Sequence, residues 1–298
     1  MPQVERPDGT RIHYEVSGEG PALLLLAPDY VNSEIASWER TPLNPRTAFR
    51  GFRTITMDQR YAGQSTGTDA PFSYEQMLGD QIAVLDDAGI EQVAVLGWGI
   101  GAAYALGLAR AAPGRVSAAA LVEPVGREGD DMGPFYGMFD ETMRLARAEG
   151  LEAVIAAART NPSFRENPAA GPYARLLHDG DDFVAEALRK GRERYITRVV
   201  RFRDGMWPAD SAYFSVPEAW LPSCETPLLV IPGNDERHPA FIGERIANEA
   251  PHGQLLRVSA DDPAIAGQLE AFLLDAVPRA GHSEQSDTAS MCGLLGAC

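Results

Sequence analysis

The chain has 298 residues, 45% hydrophobic and 23% charged, with a formal net charge of −16. That length and composition suit one large α/β domain with room for an insertion. The acidic balance excludes a surface built for nucleic acid or an anionic membrane, since either needs a concentrated basic face. No N-terminal stretch joins a basic start to an apolar run and a small-residue cleavage site, and Ala22–Ala27 is too short to cross a bilayer. A cytoplasmic protein is therefore expected. Cys224 stands alone, and Cys292 and Cys298 share the far C-terminus, so the cysteines make no disulfide framework. No cofactor and no metal are expected.

Gly9-Thr10 marks a hairpin turn between Val4–Arg6 and Arg11–Val16, where Ile12, Tyr14 and Val16 alternate. Ala22–Ala27 is a continuous apolar run, as a strand buried on both faces requires. Phe52–Met57 is the next strand and ends on Asp58-Gln59-Arg60. Helical spacing over Ser73–Ala88 puts Met77, Ile82 and Leu85 on one side and stops at Gly89. Gln92–Leu96 is a short apolar strand running into Gly97-Trp98-Gly99-Ile100-Gly101 and an alanine-rich helix, Ala102–Ala111. Val116–Val122 follows as a strand.

Strands alternating with helices predict a doubly wound, mostly parallel sheet covered on both faces. Residues 126–222 break the alternation with helical signals alone, at Pro134–Gly150, Glu152–Thr160 and Phe183–Phe202, then a looser segment around Trp207–Trp220. Aliphatic and aromatic residues run throughout, so this is a cap inserted into the core rather than a linker. The alternation resumes with strand Pro227–Ile231, helix Ala240–Glu249, strand Gln254–Val258 and helix Pro263–Ala276. The expected organisation is a core of residues 1–125 and 223–277, a helical cap over 126–222, and a disordered tail over 278–298.

A strand entering Gly-x-X-x-Gly and then a small-residue helix has the geometry of a nucleophile elbow. Residue X sits in a strained turn, its neighbours must be small, and the helix N-terminus offers N–H groups to a developing oxyanion. On these residues the chain resembles the α/β-hydrolase superfamily, in particular cap-bearing members related to proline iminopeptidases and esterases. The resemblance extends over roughly residues 4–277. Asp58-Gln59-Arg60-Tyr61-Ala62-Gly63-Gln64-Ser65 is similar to the Asp-x-Arg-x-x-Gly-x-Ser turn of that superfamily. Pro227-Leu-Leu-Val-Ile-Pro-Gly-Asn-Asp235 is similar to the strand and turn that deliver the acid of its catalytic triad.

The resemblance puts the nucleophile on Gly99, the acid on Asp235 and the base just after Gln254–Val258. Gly99 has no side chain, and the loop after that strand reads Ser259-Ala260-Asp261-Asp262 without a histidine. Covalent hydrolysis in the manner of the superfamily is therefore not expected. Ala27-Pro28-Asp29-Tyr30 also departs from the His-Gly common after the corresponding strand, and Pro28 removes a backbone donor.

Several side chains admit two readings. His238 is either a displaced base near the site mouth or a cap for the helix after Pro239, and the cap is preferred. Asp235 is a retained acid or a turn residue binding backbone N–H groups. Asp29 and Tyr30 stand where the pocket floor is expected, and Trp98 and Ile100 flank the elbow, Trp98 as a pocket wall or packed under the cap. Ser65 closes a structural turn. His13, His178, His252 and His282 carry no required role. Lys190, Arg194, Arg198 and Arg201 fall on one helix face, either an anion-steering rim or a solvated face paired with Glu186 and Glu193.

The tail carries Ser283, Ser286, Thr288, Ser290, Cys292 and Cys298, and resembles the core of a ribosomally made, lanthipeptide-like modified peptide. In such a peptide dehydrated Ser or Thr accepts a cysteine thiol, and the partners are peptide-modifying enzymes. Three functions follow as expectations. The first is a non-hydrolytic protein that binds a small apolar ligand between sheet and cap or performs non-covalent chemistry. The second is a carrier for the tail peptide. The third is a hydrolase of esterase, lactonase or peptidase type using His238 and water.

Overall fold

A computed structural model of the protein describes residues 2–45, 47–167 and 170–276. The tail positions Ser283 to Cys298 lie outside these residues. Eight strands form one sheet: β1 (Gln3–Glu5), β2 (Arg11–Ser17), β3 (Ala22–Leu26), β4 (Arg53–Met57), β5 (Val93–Trp98), β6 (Val116–Val122), β7 (Leu228–Ile231) and β8 (Gly253–Leu255). Their order is β1-β2-β4-β3-β5-β6-β7-β8. β2 is antiparallel to β1 and β4, and every other pair is parallel. This is the doubly wound, mostly parallel sheet that the alternation of elements predicts.

Helices α1 (Tyr74–Asp87) and α2 (Ile100–Ala111) precede the helices inserted between β6 and β7, where the cap is expected. These are α3 (Gly133–Tyr136), α4 (Asp140–Glu149), α5 (Leu151–Thr160), α6 (Pro162–Glu166), α7 (Ala174–Asp179), α8 (Asp181–Lys190) and α9 (Arg192–Met206). Helices α10 (Ala240–Glu249) and α11 (Ile265–Asp275) return to the core. Alternation along the central strands serves both layers. Leu24, Leu26, Val93 and Val95 share a core with α1, α2, α10 and the cap, while Leu23, Leu25, Ala94 and Leu96 pack on Ile265, Leu269 and Leu273 of α11. Leu23 to Leu26 are all 0% exposed, each contributing about 2 kcal/mol of burial.

The helices differ from expectation where glycine or a short turn intervenes. The single helix expected over Pro134–Gly150 is divided by a 3-10 turn at Gly137–Phe139, and the one over Phe183–Phe202 breaks at Gly191, φ +81°. Helices α6 and α7 occupy a stretch with no predicted element. The signal for α6 was Asn161-Pro162: the Asn161 side chain accepts the Phe164 N–H, and proline opens the first turn. The last strand pairs only over Gly253–Leu255, with one further bond from Leu256 N–H to Val230 O, before the chain turns away.

The Asp58–Ser65 turn pins this frame. Asp58 accepts the N–H groups of Ile35 and Gln64 at 2.8 and 2.7 Å, and a Cβ on Gly63 would stand 2.2 Å from its carboxyl carbon. Arg60 makes two bonds of 2.9 Å to the buried Asp80 and reaches Thr10 and Asp8, tying α1 to the first hairpin. Ser65 donates to Asp58 O and accepts from His13 N–H, so its hydroxyl is consumed by the turn.

Candidate active site

β5 ends at Trp98, the chain reverses at Gly99, and α2 begins at Ile100. A Cβ on Gly97 would lie 2.1 Å from the Gly101 carbonyl oxygen, and one on Gly101 would lie 1.9 Å from that of Leu26. Both flanking glycines are therefore compelled by backbone approach. Gly99 is different. Its φ of +56° and ψ of −118° strain any L side chain, but a Cβ there would meet His238 Nε2 at 3.5 Å and Pro28 Cβ at 3.8 Å, ordinary contacts. The elbow is fully formed around a position that has space for a nucleophile. Ile100 is buried, and its N–H belongs to the first turn of α2, which has no intrahelical acceptor.

The turn after β7 supplies an acid and an imidazole together. Asp235 Oδ1 accepts the N–H groups of Arg237 and His238 at 2.8 and 3.0 Å, and its carboxylate meets His238 Nδ1 at 2.9 and 3.0 Å. Burial alone would raise the Asp235 carboxyl, but the bonds and charge of His238 and the two N–H groups hold it below its ordinary value. In the neutral imidazole, a proton on Nδ1 facing the Asp235 carboxylate leaves Nε2 as the acceptor. The His238 ring does not cap α10, whose N-cap is Pro239 without a side-chain bond. The preferred sequence reading fails here because the turn folds back tightly. A Cβ on Gly233 would stand 2.3 Å from His238 O, so only glycine admits that approach.

Tyr30 completes the cluster, its hydroxyl 3.2 Å from His238 Nε2. Asp29 and Tyr30 are consecutive non-glycine residues with φ of +78° and +55°. The Tyr30 ring meets Trp207 edge-on at 5.7 Å, and the Arg237 guanidinium lies over it at 5.6 Å. Burial pushes the Tyr30 hydroxyl up to about 12, against a smaller opposing pull from Arg237. The Asp29 carboxylate is paired with Arg40, and both residues line a polar cavity.

Trp98 takes neither expected place. As an alternate residue of β5 it faces the α11 side, packs with that core and donates to Glu123 Oε2 at 2.9 Å. In the loop after β8, Ser259 Oγ accepts the Asp261 N–H and Asp262 Oδ1 that of Ala264, so the side chains serve the turn. Lys190 pairs with Glu186, and Arg198 with Glu186 and Asp69, whereas Glu193 pairs with Arg192. His13 is buried beside Gln64, His178 bonds its neighbour Asp179 in the cap, and His252 is 3.5 Å from Glu225; none reaches the elbow.

Local spacing did not reveal the aromatic cluster beside Tyr30. Trp207 packs on Phe135 at 4.9 Å and Phe214 at 4.8 Å, and all three are buried, so rings fill the side of the site behind Tyr30. Two polar cavities are lined by chain neighbours of Tyr30 and His238. One of about 630 Å³ is lined by Asp29, Arg40, Arg165 and Arg175, and one of about 510 Å³ by Arg127, Asp131, Glu236 and Pro239. Among the described residues no group of three or more His, Cys, Asp or Glu is placed to hold a metal ion, and no helix is long and apolar enough to cross a membrane.

Comparison with known proteins gives this geometry a context. A family model described as alpha/beta hydrolase fold matches residues 32–260. A relative from Azorhizobium caulinodans, provisionally named carbamate hydrolase RutD, is 32% identical over 157 residues, 53% of this chain and 55% of the relative. The chain thus matches about half the length of that relative. The enol-lactonase of Burkholderia xenovorans LB400 superposes with a TM-score of 0.58 at 20% identity, over 92% of this chain and 97% of the other. An esterase from Rhodococcus sp. ECU1013 gives 0.60 at 21% identity, over 93% and 99%. These two likenesses establish the fold alone. Matched over most of its length by that family model, the chain belongs to the alpha/beta hydrolase fold family.

Proposed function

We propose that this chain cleaves a carboxylic ester or lactone by acid–base catalysis from Asp235 and His238, with no serine or cysteine in the acyl-transfer role. One observation carries the reading: His238, held through Nδ1 by Asp235, presents Nε2 3.5 Å from the Cβ position of Gly99. The imidazole is absent from the loop after β8 but stands beside the elbow, supplied by the acid's own turn. From there it can take the proton of an attacking hydroxyl and return it to the leaving oxygen. The N-terminus of α2 faces the charge that develops on the carbonyl oxygen. The lactonase, esterase and carbamate-hydrolase names of the relatives fit acyl-bond cleavage.

The test is turnover of a panel of aryl esters and lactones by the purified full chain, His238→Ala and Asp235→Asn. Activity above buffer that falls about 100-fold or more in His238→Ala is expected. Turnover unaffected by either substitution, or none in the parent chain, refutes the reading and returns the molecule to non-hydrolytic ligand binding.

A further inference from the structure

The reading of the Asp235–His238 pair as the base leaves open which hydroxyl attacks. We infer that Tyr30 is the nucleophile, so that the chain carries an Asp235–His238–Tyr30 triad assembled beside the vacant elbow; this rests on the function proposed above. A triad is defined by geometry and role, not by sequence position. Here Asp235 Oδ2 to His238 Nδ1 is 2.9 Å and His238 Nε2 to Tyr30 Oη is 3.2 Å, the spacing of an acid, a base and a hydroxyl. The accepting Nε2 lone pair is thus already directed at the Tyr30 hydroxyl.

The backbone supports the same assignment. Tyr30 lies in the left-handed region, costly for a bulky aromatic residue, and follows Asp29 in the same region. The turn is held by Asn32 N–H to Asp29 O at 2.9 Å, by Ser33 N–H to Tyr30 O at 3.4 Å and by the Asp29–Arg40 ion pair. This turn sets the Tyr30 ring between Trp207 and Arg237, with its hydroxyl at His238 Nε2. The Tyr30 and His238 side chains are half-buried, and their chain neighbours Asp29 and Glu236 each line a polar cavity.

The step balances without any further reagent except water. Oη forms a bond to the acyl carbon as its proton passes to Nε2. The carbon–oxygen bond to the leaving group then breaks, and that oxygen takes the proton from the imidazolium. Water attacks the resulting aryl ester, giving a proton to Nε2, and the departing Tyr30 oxygen recovers it. A neutral, buried phenol requires this concerted proton transfer, since free phenolate is scarce at neutral pH.

The chemistry also selects a substrate class. A tetrahedral adduct bearing a phenol oxygen and an alkoxide expels the phenol, the better leaving group, and reverts. Acylation of Tyr30 goes forward only when the leaving group is about as acidic as a phenol. Enol esters, enol lactones and aryl esters meet that condition, and simple alkyl esters do not.

The experiment uses the full chain with para-nitrophenyl acetate. A burst of nitrophenol release, an acetyl group on the peptide containing Tyr30, and at least about 100-fold slower turnover in Tyr30→Phe are expected. Tyr30→Phe keeps the ring and its packing, and circular dichroism checks that it folds. An aryl sulfonyl fluoride, which traps activated phenols as stable esters, reads the same group without turnover. Labelling of Tyr30 that disappears in His238→Ala is expected. Hydrolysis lost in His238→Ala but unchanged in Tyr30→Phe overturns Tyr30 as nucleophile, assigns attack to water and leaves the base intact. Failure of the sulfonyl fluoride to label Tyr30 also overturns it.

Discussion

His238 Nδ1 lies 2.9 Å from Asp235 Oδ2, and the two residues are three apart on one turn. A carboxylate and an imidazole are thus joined in a single short segment. Asp235 binds two backbone N–H groups of that segment as well as the ring, so the carboxylate shapes the turn that carries the imidazole. Turn formation and base orientation are one interaction.

Gly99→Ser places a hydroxyl within reach of His238 Nε2, at a backbone angle of φ +56°. The variant is expected to react with a fluorophosphonate at residue 99, and His238→Ala in the same background to abolish that reaction. The strain is expected to cost about 1–3 kcal/mol, read by denaturant unfolding.

The three glycines of the frame separate by their contacts. Gly97→Ala and Gly101→Ala drive a methyl to about 2 Å from a backbone oxygen, and each is expected to lower stability by about 3 kcal/mol or more. Gly99→Ala carries only the dihedral strain and is expected to lose less. Equal losses at all three positions, in parallel thermal melts, would contradict this ranking.

Acid stability depends on the first hairpin. Burial pushes the Asp8 carboxyl up, but bonds from Arg60 and Thr10 and the Arg60 charge outweigh it and hold the group at about 2, below its ordinary 3.8. A folded value below the unfolded one adds stability above the unfolded value, lost as pH falls through the folded one. Melting temperature is therefore expected to drop between about pH 4 and pH 2, and less steeply in Asp8→Asn.

Trp207 is fully buried between Tyr30, Phe135 and Phe214. Trp207→Ala is expected to cost about 3–5 kcal/mol and to open an apolar cavity beside Tyr30. The check is a lower unfolding midpoint together with new binding of a small aromatic probe.

The elbow, the Asp58–Ser65 turn and the acid-bearing strand were legible because each is a local pattern of glycine, buried strand and turn chemistry. The cap was legible only in part: its apolar content marked an insertion, but the break at Gly191 and the stacking of Trp207 on Phe135 and Phe214 depend on partners far apart in the chain. Trp98 shows the limit in another form. Which face of the sheet it takes follows from its register in β5, and the hydrogen bond to Glu123 confirms the α11 side.

By itself the sequence determined that residue 99, where a nucleophile is expected, is a glycine and that the loop Ser259–Asp262 holds no histidine. Both are facts of residue identity, and no folding can alter them. Only the tertiary structure decided where the imidazole goes. Asp235 bends its own turn, Gly233 lets the backbone close on itself, and β7 delivers the result beside Gly99 and Tyr30. Proximity between residues 30, 99 and 238 is set by the order of β3, β5 and β7 in one sheet, a relationship that local spacing does not encode.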